Sequence, residues 1–114
     1  MHEVSIAQNL LDIVSRQCTE EGYTEIESIN IRIGRASGIL PDALMFAFDA
    51  IKSDSIAKSA KLNIAEIPVT GCCRDCENTF IVEEEYILSC PLCGGNSFFV
   101  TGGRELDIID MEVS

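Results

Sequence analysis

The sequence predicts an α+β fold in which two helices pack on a three-stranded sheet and a small four-cysteine lobe is inserted in the chain. Three observations support this prediction. Two segments carry apolar residues at three- and four-residue steps, three segments alternate apolar and polar residues, and the composition changes after Thr70. Because alternating segments lie on both sides of the cysteine-rich stretch, the lobe is predicted to lie between the second and last strands.

The first predicted helix runs from Ser5 to about Glu21. Ser5 and Gln8 have the spacing of a capping box, and Gly22 supplies a stop. One stripe of the helix is apolar and is formed by Ala7, Leu10, Leu11, Val14 and Cys18. This stripe predicts that Cys18 is a small core residue.

The first predicted strand is Glu25 to Ile33, in which Ile29, Ile31 and Ile33 share one face. A glycine-containing loop follows and leads to the second predicted helix, Asp42 to about Lys52. Pro41 suits the first helical position, because an N–H there would have no intrahelical acceptor and proline has none to leave unpaired.

The second predicted strand is residues 60–69, with Pro68 at its end or at an edge. After Gly103, residues 105–113 resume a strand pattern. The predicted domains are therefore an α+β domain of residues 1–69 plus 104–114 and a lobe of residues 70–103.

The charge excludes some functions. Nineteen acidic and 8 basic residues give a net charge of −11, and the basic residues form no cluster. Nucleic acid is a poor partner prediction, because its binding depends on Lys and Arg neutralising phosphates. We also expect no signal peptide and no membrane span, and the six cysteines then indicate the cytoplasm, where thiols stay reduced.

The strongest motif is a pair of C-x-x-C turns, Cys73 to Cys76 and Cys90 to Cys93. Two such turns, joined by a predicted hairpin through residues 80–88, can present four thiolates to one tetrahedral Zn(II). This predicts a zinc-ribbon-like lobe with a structural zinc site. Cys72 leaves an alternative pairing with Cys76 open, but Cys73 makes both turns alike. Two disulfides, four free thiols or a thioredoxin-like redox motif fit a reduced compartment and this context less well.

Catalysis is not expected. A closed set of four thiolates leaves no open position on the zinc, and catalytic zinc sites keep one. The single histidine is at the terminus, so no nucleophile has a histidine base beside it, and no P-loop sequence is present.

The amino terminus is a second candidate site. His2 is the only histidine, and methionine is retained before a bulky second residue, so Met1 would offer a free α-amine. The amine, intervening backbone amide nitrogens and the imidazole can chelate one ion in a plane. All-nitrogen square-planar ligation suits Ni(II) or Cu(II). The affinity should rise with pH, because amides must lose protons to bind.

Taken together, these motifs resemble the hydrogenase nickel-incorporation protein HypA family over essentially the whole chain. The resemblance is carried by the paired cysteine motifs and by Met1-His2-Glu3-x-Ser5-Ile6, Leu10-Leu11-x-x-Val14, Ile31-Arg32-Ile33-Gly34, Pro41-Asp42-Ala43-Leu44-x-Phe46-Ala47-Phe48 and Gly103-Arg104-Glu105-Leu106. The initial Met-His-Glu and the cysteine pairs are specific only in combination. Cys72 is a departure, since it adds a thiol beside the first pair.

The resemblance implies a nickel metallochaperone for [NiFe]-hydrogenase maturation. Its implied partners are the GTPase HypB and the hydrogenase large subunit, and some members also serve urease. The implied nickel site comprises Met1, His2 and Glu3, with Glu3 giving its backbone nitrogen. The implied zinc ligands are Cys73, Cys76, Cys90 and Cys93. The alternative function is a zinc-ribbon protein-interaction adaptor that delivers no metal.

Overall fold

The computed structural model describes residues 2–114 and contains two helices and six strands. The elements in chain order are α1 (His2–Glu20), β1 (Ile26–Gly34), α2 (Pro41–Ile51), β2 (Lys61–Ile67), β3 (Val69–Cys73), β4 (Thr79–Val82), β5 (Phe98–Gly102) and β6 (Leu106–Val113). They form two three-stranded sheets with the orders β2-β1-β6 and β4-β3-β5. The predicted α+β class, both helices and the first sheet are confirmed.

Helix α1 starts three residues earlier than predicted, at His2, so the Ser5 capping box does not mark its beginning. Its end matches the prediction. Gly22 adopts a φ of +85°, and Tyr23 N–H donates to the carbonyl of Cys18 at 2.9 Å. This left-handed cap satisfies carbonyls at the end of the helix, and glycine adopts it without a Cβ penalty.

Helix α2 begins at Pro41 and packs against α1. Both helices bury their apolar stripes: Ala7 and Val14 of α1 and Leu44 and Phe48 of α2 are fully buried. Ile29 of β1 is also fully buried, so the alternation of that strand places its isoleucines in the core.

Strands β1 and β6 run antiparallel. Ser114 N–H donates to Glu25 O at 2.9 Å at one end of the pair, and Gly34 N–H donates to Glu105 O at 2.8 Å at the other. Pro68, which has no N–H to donate, separates β2 from β3, and these two strands lie in different sheets.

The second sheet differs from the predicted hairpin. Strand β4 pairs antiparallel with β3, which precedes it, and ends at Val82 rather than extending to Leu88. Three consecutive glutamates follow Val82, and charged residues of this kind are depleted in strands. Strand β5 completes the sheet on the other side of β3.

The chain divides into two compact units. The described part of the first comprises residues 2–31, Ile39–Ala65 and Ile108–Ser114; the second comprises Arg32–Gly38 and Glu66–Asp107. The functional domains predicted at residues 1–69 plus 104–114 and at 70–103 stay a prediction. Within the described residues, neither helix is long and apolar enough to cross a membrane.

Candidate metal sites

Four sulfurs of the second unit converge on one point. The Sγ atoms of Cys73, Cys76, Cys90 and Cys93 all lie within 4.8 Å of one another. Cys73 and Cys93 are 3.6 Å apart, and Cys76 and Cys90 are 3.8 Å apart. Sulfurs bound at about 2.3 Å to a tetrahedral zinc lie about 3.8 Å from each other. The spacing therefore fits one tetrahedral metal ion.

The same distances argue against disulfides. A disulfide joins its sulfurs at about 2.05 Å, far less than the separations in the cluster. All six cysteines are free thiols in this structure.

Backbone geometry holds each pair of sulfurs in place. In the first turn, Cys73 N–H donates to Asn78 O at 3.0 Å, and Glu77 has a φ of 62°. In the second turn, Gly94 N–H donates to Cys90 O at 2.8 Å, and Gly94 has a φ of 75°. Glycine adopts this left-handed φ without strain because it has no Cβ.

The cluster lies in the small core of its unit. Cys73 and Cys90 are buried beside Phe80, and Phe98 meets Phe80 edge-to-face with ring centroids 6.4 Å apart. Cys76 is half-buried and Cys93 is exposed. A metal ion bound to all four sulfurs would therefore link the buried cysteines of this core to the exposed Cys93.

The pKa values of two of the thiols, Cys90 and Cys93, shift in opposite directions. Burial raises the pKa of Cys90, but hydrogen bonds from the backbone N–H groups of Cys93 and Leu92 outweigh it and lower the pKa to about 7. The Gly95 N–H lowers the pKa of Cys93, yet the neighbouring Cys73 thiol, burial and the other thiols raise it to about 12. Thiolates this close together repel one another, so a bound cation would favour their ionised form.

Cys72 is excluded from the cluster by strand geometry. Successive side chains of a strand point to opposite faces, and Cys72 pairs with Thr79 and Phe99 while its neighbour Cys73 pairs with Phe98. The structure thus brings Cys73, and not Cys72, to the other three cysteines. Cys18 is 2% exposed on α1, as predicted for a core residue.

The amino-terminal candidate site is described from His2 onward, and Met1 lies outside the described residues. His2 and Glu3 form the start of α1, and His2 Nε2 is 3.0 Å from a carboxylate oxygen of Glu3. The same oxygen accepts a hydrogen bond from Leu40 N–H at 3.3 Å. Glu3 is buried, and the Leu40 hydrogen bond lowers the pKa of its carboxyl against the opposing effect of burial.

The sequence left the role of the Glu3 side chain open between a hydrogen bond and contact with a partner, and it did not predict the link to α2. Leu40 is the N-cap residue of α2, and its apolar side chain makes no capping hydrogen bond. The Glu3 carboxylate therefore supplies an acceptor at the beginning of α2 while it contacts His2. The two residues are 37 positions apart, and no local pattern signals such a pairing.

The fold and the cysteine cluster together define a small α+β protein with a metal-binding site. Comparison with known proteins identifies the group. The family described as "Hydrogenase/urease nickel incorporation, metallochaperone, hypA" matches residues 1–113. The chain belongs to this HypA family of nickel metallochaperones in hydrogenase maturation.

Individual relatives agree with the family match. The chain is 35% identical over 113 residues to a hydrogenase maturation factor HypA of Albidiferax ferrireducens, and 38% identical over 113 residues to one of Rhizobium leguminosarum bv. viciae. Each alignment covers 99% of both proteins.

Solved structures show the same fold. The chain superposes on the Ni metallochaperone HypA from Helicobacter pylori with a TM-score of 0.67 at 23% identity, covering 97% of this chain and 96% of that one. It superposes on a second HypA solution structure with a TM-score of 0.72 at 24% identity, covering 100% and 97%.

Proposed function

We propose that this chain binds Ni(II) at Met1, His2 and Glu3 and delivers it during [NiFe]-hydrogenase maturation, while the four clustered cysteines hold a structural Zn(II). The observation that carries this proposal is the family match, which spans residues 1–113 and so includes both candidate sites. Ni(II) is cargo in this scheme and zinc is a permanent part of the fold.

The position of His2 and Glu3 at the start of α1 supports the proposal. The first N–H groups of a helix have no intrahelical acceptor. The amide nitrogens of His2 and Glu3 can therefore lose their protons to a metal without breaking a hydrogen bond of the helix. Nitrogen donors in one plane select Ni(II) or Cu(II) over Zn(II) by geometry.

The contact with the Glu3 carboxylate favours one tautomer of the neutral His2 imidazole. When Nε2–H donates to Glu3 across the 3.0 Å contact, the neutral imidazole carries its lone pair on Nδ1. A six-membered chelate then joins Nδ1 and the His2 amide nitrogen. Glu3 would thereby act as an outer-sphere residue that orients the imidazole, in addition to giving its own backbone nitrogen.

Zinc is proposed for the cysteine cluster because four thiolates in a tetrahedron are its preferred structural environment. The ion would neutralise thiolates whose pKa values lie as far apart as about 7 for Cys90 and about 12 for Cys93. No coordination position remains open in a four-sulfur site, so we propose that the protein is not an enzyme.

The partners are proposed from the family. Delivery would involve the GTPase HypB and the hydrogenase large subunit in the cytoplasm, and urease maturation proteins where urease is served. The net charge of −11 supports protein partners over nucleic acid.

The test is a Ni(II) titration of untagged protein together with its zinc content. We expect one exchangeable Ni(II) and one zinc per chain. His2→Ala, or one residue added before Met1, should abolish nickel binding and leave the zinc and the circular dichroism spectrum unchanged. Unchanged nickel affinity in both variants would refute the site, and zinc-loaded protein that ignores nickel would favour the adaptor function instead.

A further inference from the structure

The segment from Glu83 to Leu92, here called the acidic loop, exposes several large apolar side chains. It follows β4 without regular structure over residues 83–89 and ends in the second cysteine turn. Tyr86 is 64% exposed, Leu88 is 79% exposed and Leu92 is 62% exposed. Single exposed apolar residues are ordinary, but three large ones within ten residues indicate an interaction surface.

The exposure follows from the way the loop is anchored. A methyl group added to Gly71 would lie 2.8 Å from Ile87 Cδ1, so Ile87 rests directly on strand β3. Ile87 also packs against the small core of Cys73, Phe80 and Cys90. Because Ile87 is held inward, the residues on either side of it project outward. Ile87 therefore anchors the loop to its unit, and Tyr86 and Leu88 on either side of it are exposed.

The charge of the loop selects the partner. Glu83, Glu84 and Glu85 are all exposed, and among the described residues none of them forms an ion pair. Residues 70–103 contain five acidic side chains and one basic side chain, Arg74. The Arg74 guanidinium lies 5.1 Å from the ring centroid of Phe99. Arg35 Nη1 donates to the Glu83 backbone carbonyl at 2.9 Å. One guanidinium does not balance three exposed carboxylates, so the loop keeps a net negative charge beside its apolar side chains.

We infer that the acidic loop is a docking surface for a basic segment of a partner protein, one that also carries apolar side chains. Lysine or arginine residues would meet Glu83, Glu84 and Glu85, and the apolar side chains would cover Tyr86, Leu88 and Leu92. A second copy of this chain is a poor occupant, because its net charge of −11 repels the loop. The inference rests on the proposed function, since delivery requires the chain to dock on another protein.

The experiment measures binding of fluorescein-labelled peptides to the full-length, zinc-loaded protein by fluorescence anisotropy at low salt. One 12-residue peptide alternates Lys and Leu, and the other alternates Lys and Ser with the same charge. We expect the wild-type protein to bind the Lys-Leu peptide at least tenfold more tightly than the Lys-Ser peptide. Electrostatic attraction should bring both peptides to the protein, and apolar contact should make the Lys-Leu peptide bind more tightly.

Two sets of substitutions separate the contributions of charge and apolar contact. The triple variant Glu83→Gln, Glu84→Gln, Glu85→Gln should weaken Lys-Leu binding at least tenfold, and Tyr86→Ser with Leu88→Ser should do the same. The matched control replaces Glu20, Glu21 and Glu25 by Gln. These three side chains are also exposed but belong to the other unit. The control removes the same charge and should change binding less than twofold.

Equal weakening in the control and the loop variant would overturn the inference, because bulk charge alone would then explain binding. Unchanged binding after Tyr86→Ser with Leu88→Ser would overturn it as well. Zinc content and circular dichroism establish that each variant is folded.

Nickel titration of the same proteins distinguishes failure of the docking surface from failure of the proposed function. Loss of peptide selectivity with intact nickel binding rejects the docking surface, and absent nickel binding in the wild type rejects the proposed function.

Discussion

The backbones of Gly34 and Gly103 pass in direct contact. A methyl group on Gly34 would overlap both the carbonyl carbon and the carbonyl oxygen of Gly103. Hydrogen bonds on either side fix this approach: Ala36 N–H donates to Gly103 O at 2.7 Å, and Arg35 N–H donates to Ile67 O at 2.9 Å. The loop after β1 is thereby tied into the unit that holds the cysteines.

Gly34→Ala should therefore destabilise the protein by about 2–4 kcal/mol, because the obstacle is backbone that cannot rotate away. Gly38→Ala is the matched control. Gly38 has a φ of +80° but nothing within 4 Å of an added methyl group. Its substitution should cost only about 1 kcal/mol of conformational strain. Urea unfolding of both variants measures the difference, and equal losses of stability would contradict the close approach.

Exchange of single cysteines for serine tests the assignment of ligands. Cys73→Ser should remove the zinc, since Cys73 Sγ belongs to the four-sulfur cluster. Cys72→Ser should keep one zinc per chain, because the Cys72 side chain lies on the opposite face of β3. Elemental analysis of the purified variants gives the answer. Zinc loss in Cys72→Ser with retention in Cys73→Ser would reverse the assignment.

Thiol reactivity should separate the two cysteines outside the cluster. Cys72 is half-buried, whereas Cys18 is 2% exposed and burial raises the pKa of its thiol. Thiolate is the reactive form, so in zinc-loaded protein at pH 8 iodoacetamide should label Cys72 about tenfold faster or more than Cys18. Mass spectrometry of peptides follows both sites. Similar rates for the two residues would show that Cys18 is accessible, contrary to the structure.

Glu3→Ala should weaken nickel binding about tenfold to a hundredfold, the usual effect of losing an outer-sphere partner of a metal-binding histidine. The substitution removes the acceptor for His2 and also the one for Leu40 N–H at the beginning of α2. Glu20→Ala, at an exposed position of the same helix, is the control and should leave the affinity unchanged. Calorimetric Ni(II) titration compares the two variants. Equal nickel affinities would exclude any orienting function of Glu3.

Local patterns predicted much of the fold. The alternation of Ile29, Ile31 and Ile33 predicted a strand with one buried face, and these side chains are at most 1% exposed. Pro41 and Gly22 marked the beginning of α2 and the end of α1 because each suits one backbone geometry. The second sheet was not predicted in full. Its strands are only four or five residues long and are too short for a clear period.

The candidate sites divide in the same way. The two C-x-x-C motifs predicted four converging sulfurs, because each turn presents two sulfurs locally and four thiolates suit one zinc ion. The contacts of Glu3 with Leu40 and of Gly34 with Gly103 join residues 37 and 69 positions apart. Such pairs cannot be predicted from side-chain type and local spacing, because only the tertiary fold brings the two residues together.

Removal of the zinc should unfold the second unit locally. Buried Cys73 and Cys90 form its core together with Phe80. The proposed ion would bind two of these three core residues and so link the segments that contain them. A core this small contributes little stability by itself, and a structural metal supplies folding free energy directly. Amide hydrogen exchange should therefore show lost protection in β3, β4 and β5 after chelation, while α1 and α2 stay protected. Added zinc should restore the protection, and strands that remain protected after complete zinc removal would show that the sulfur cluster folds without metal.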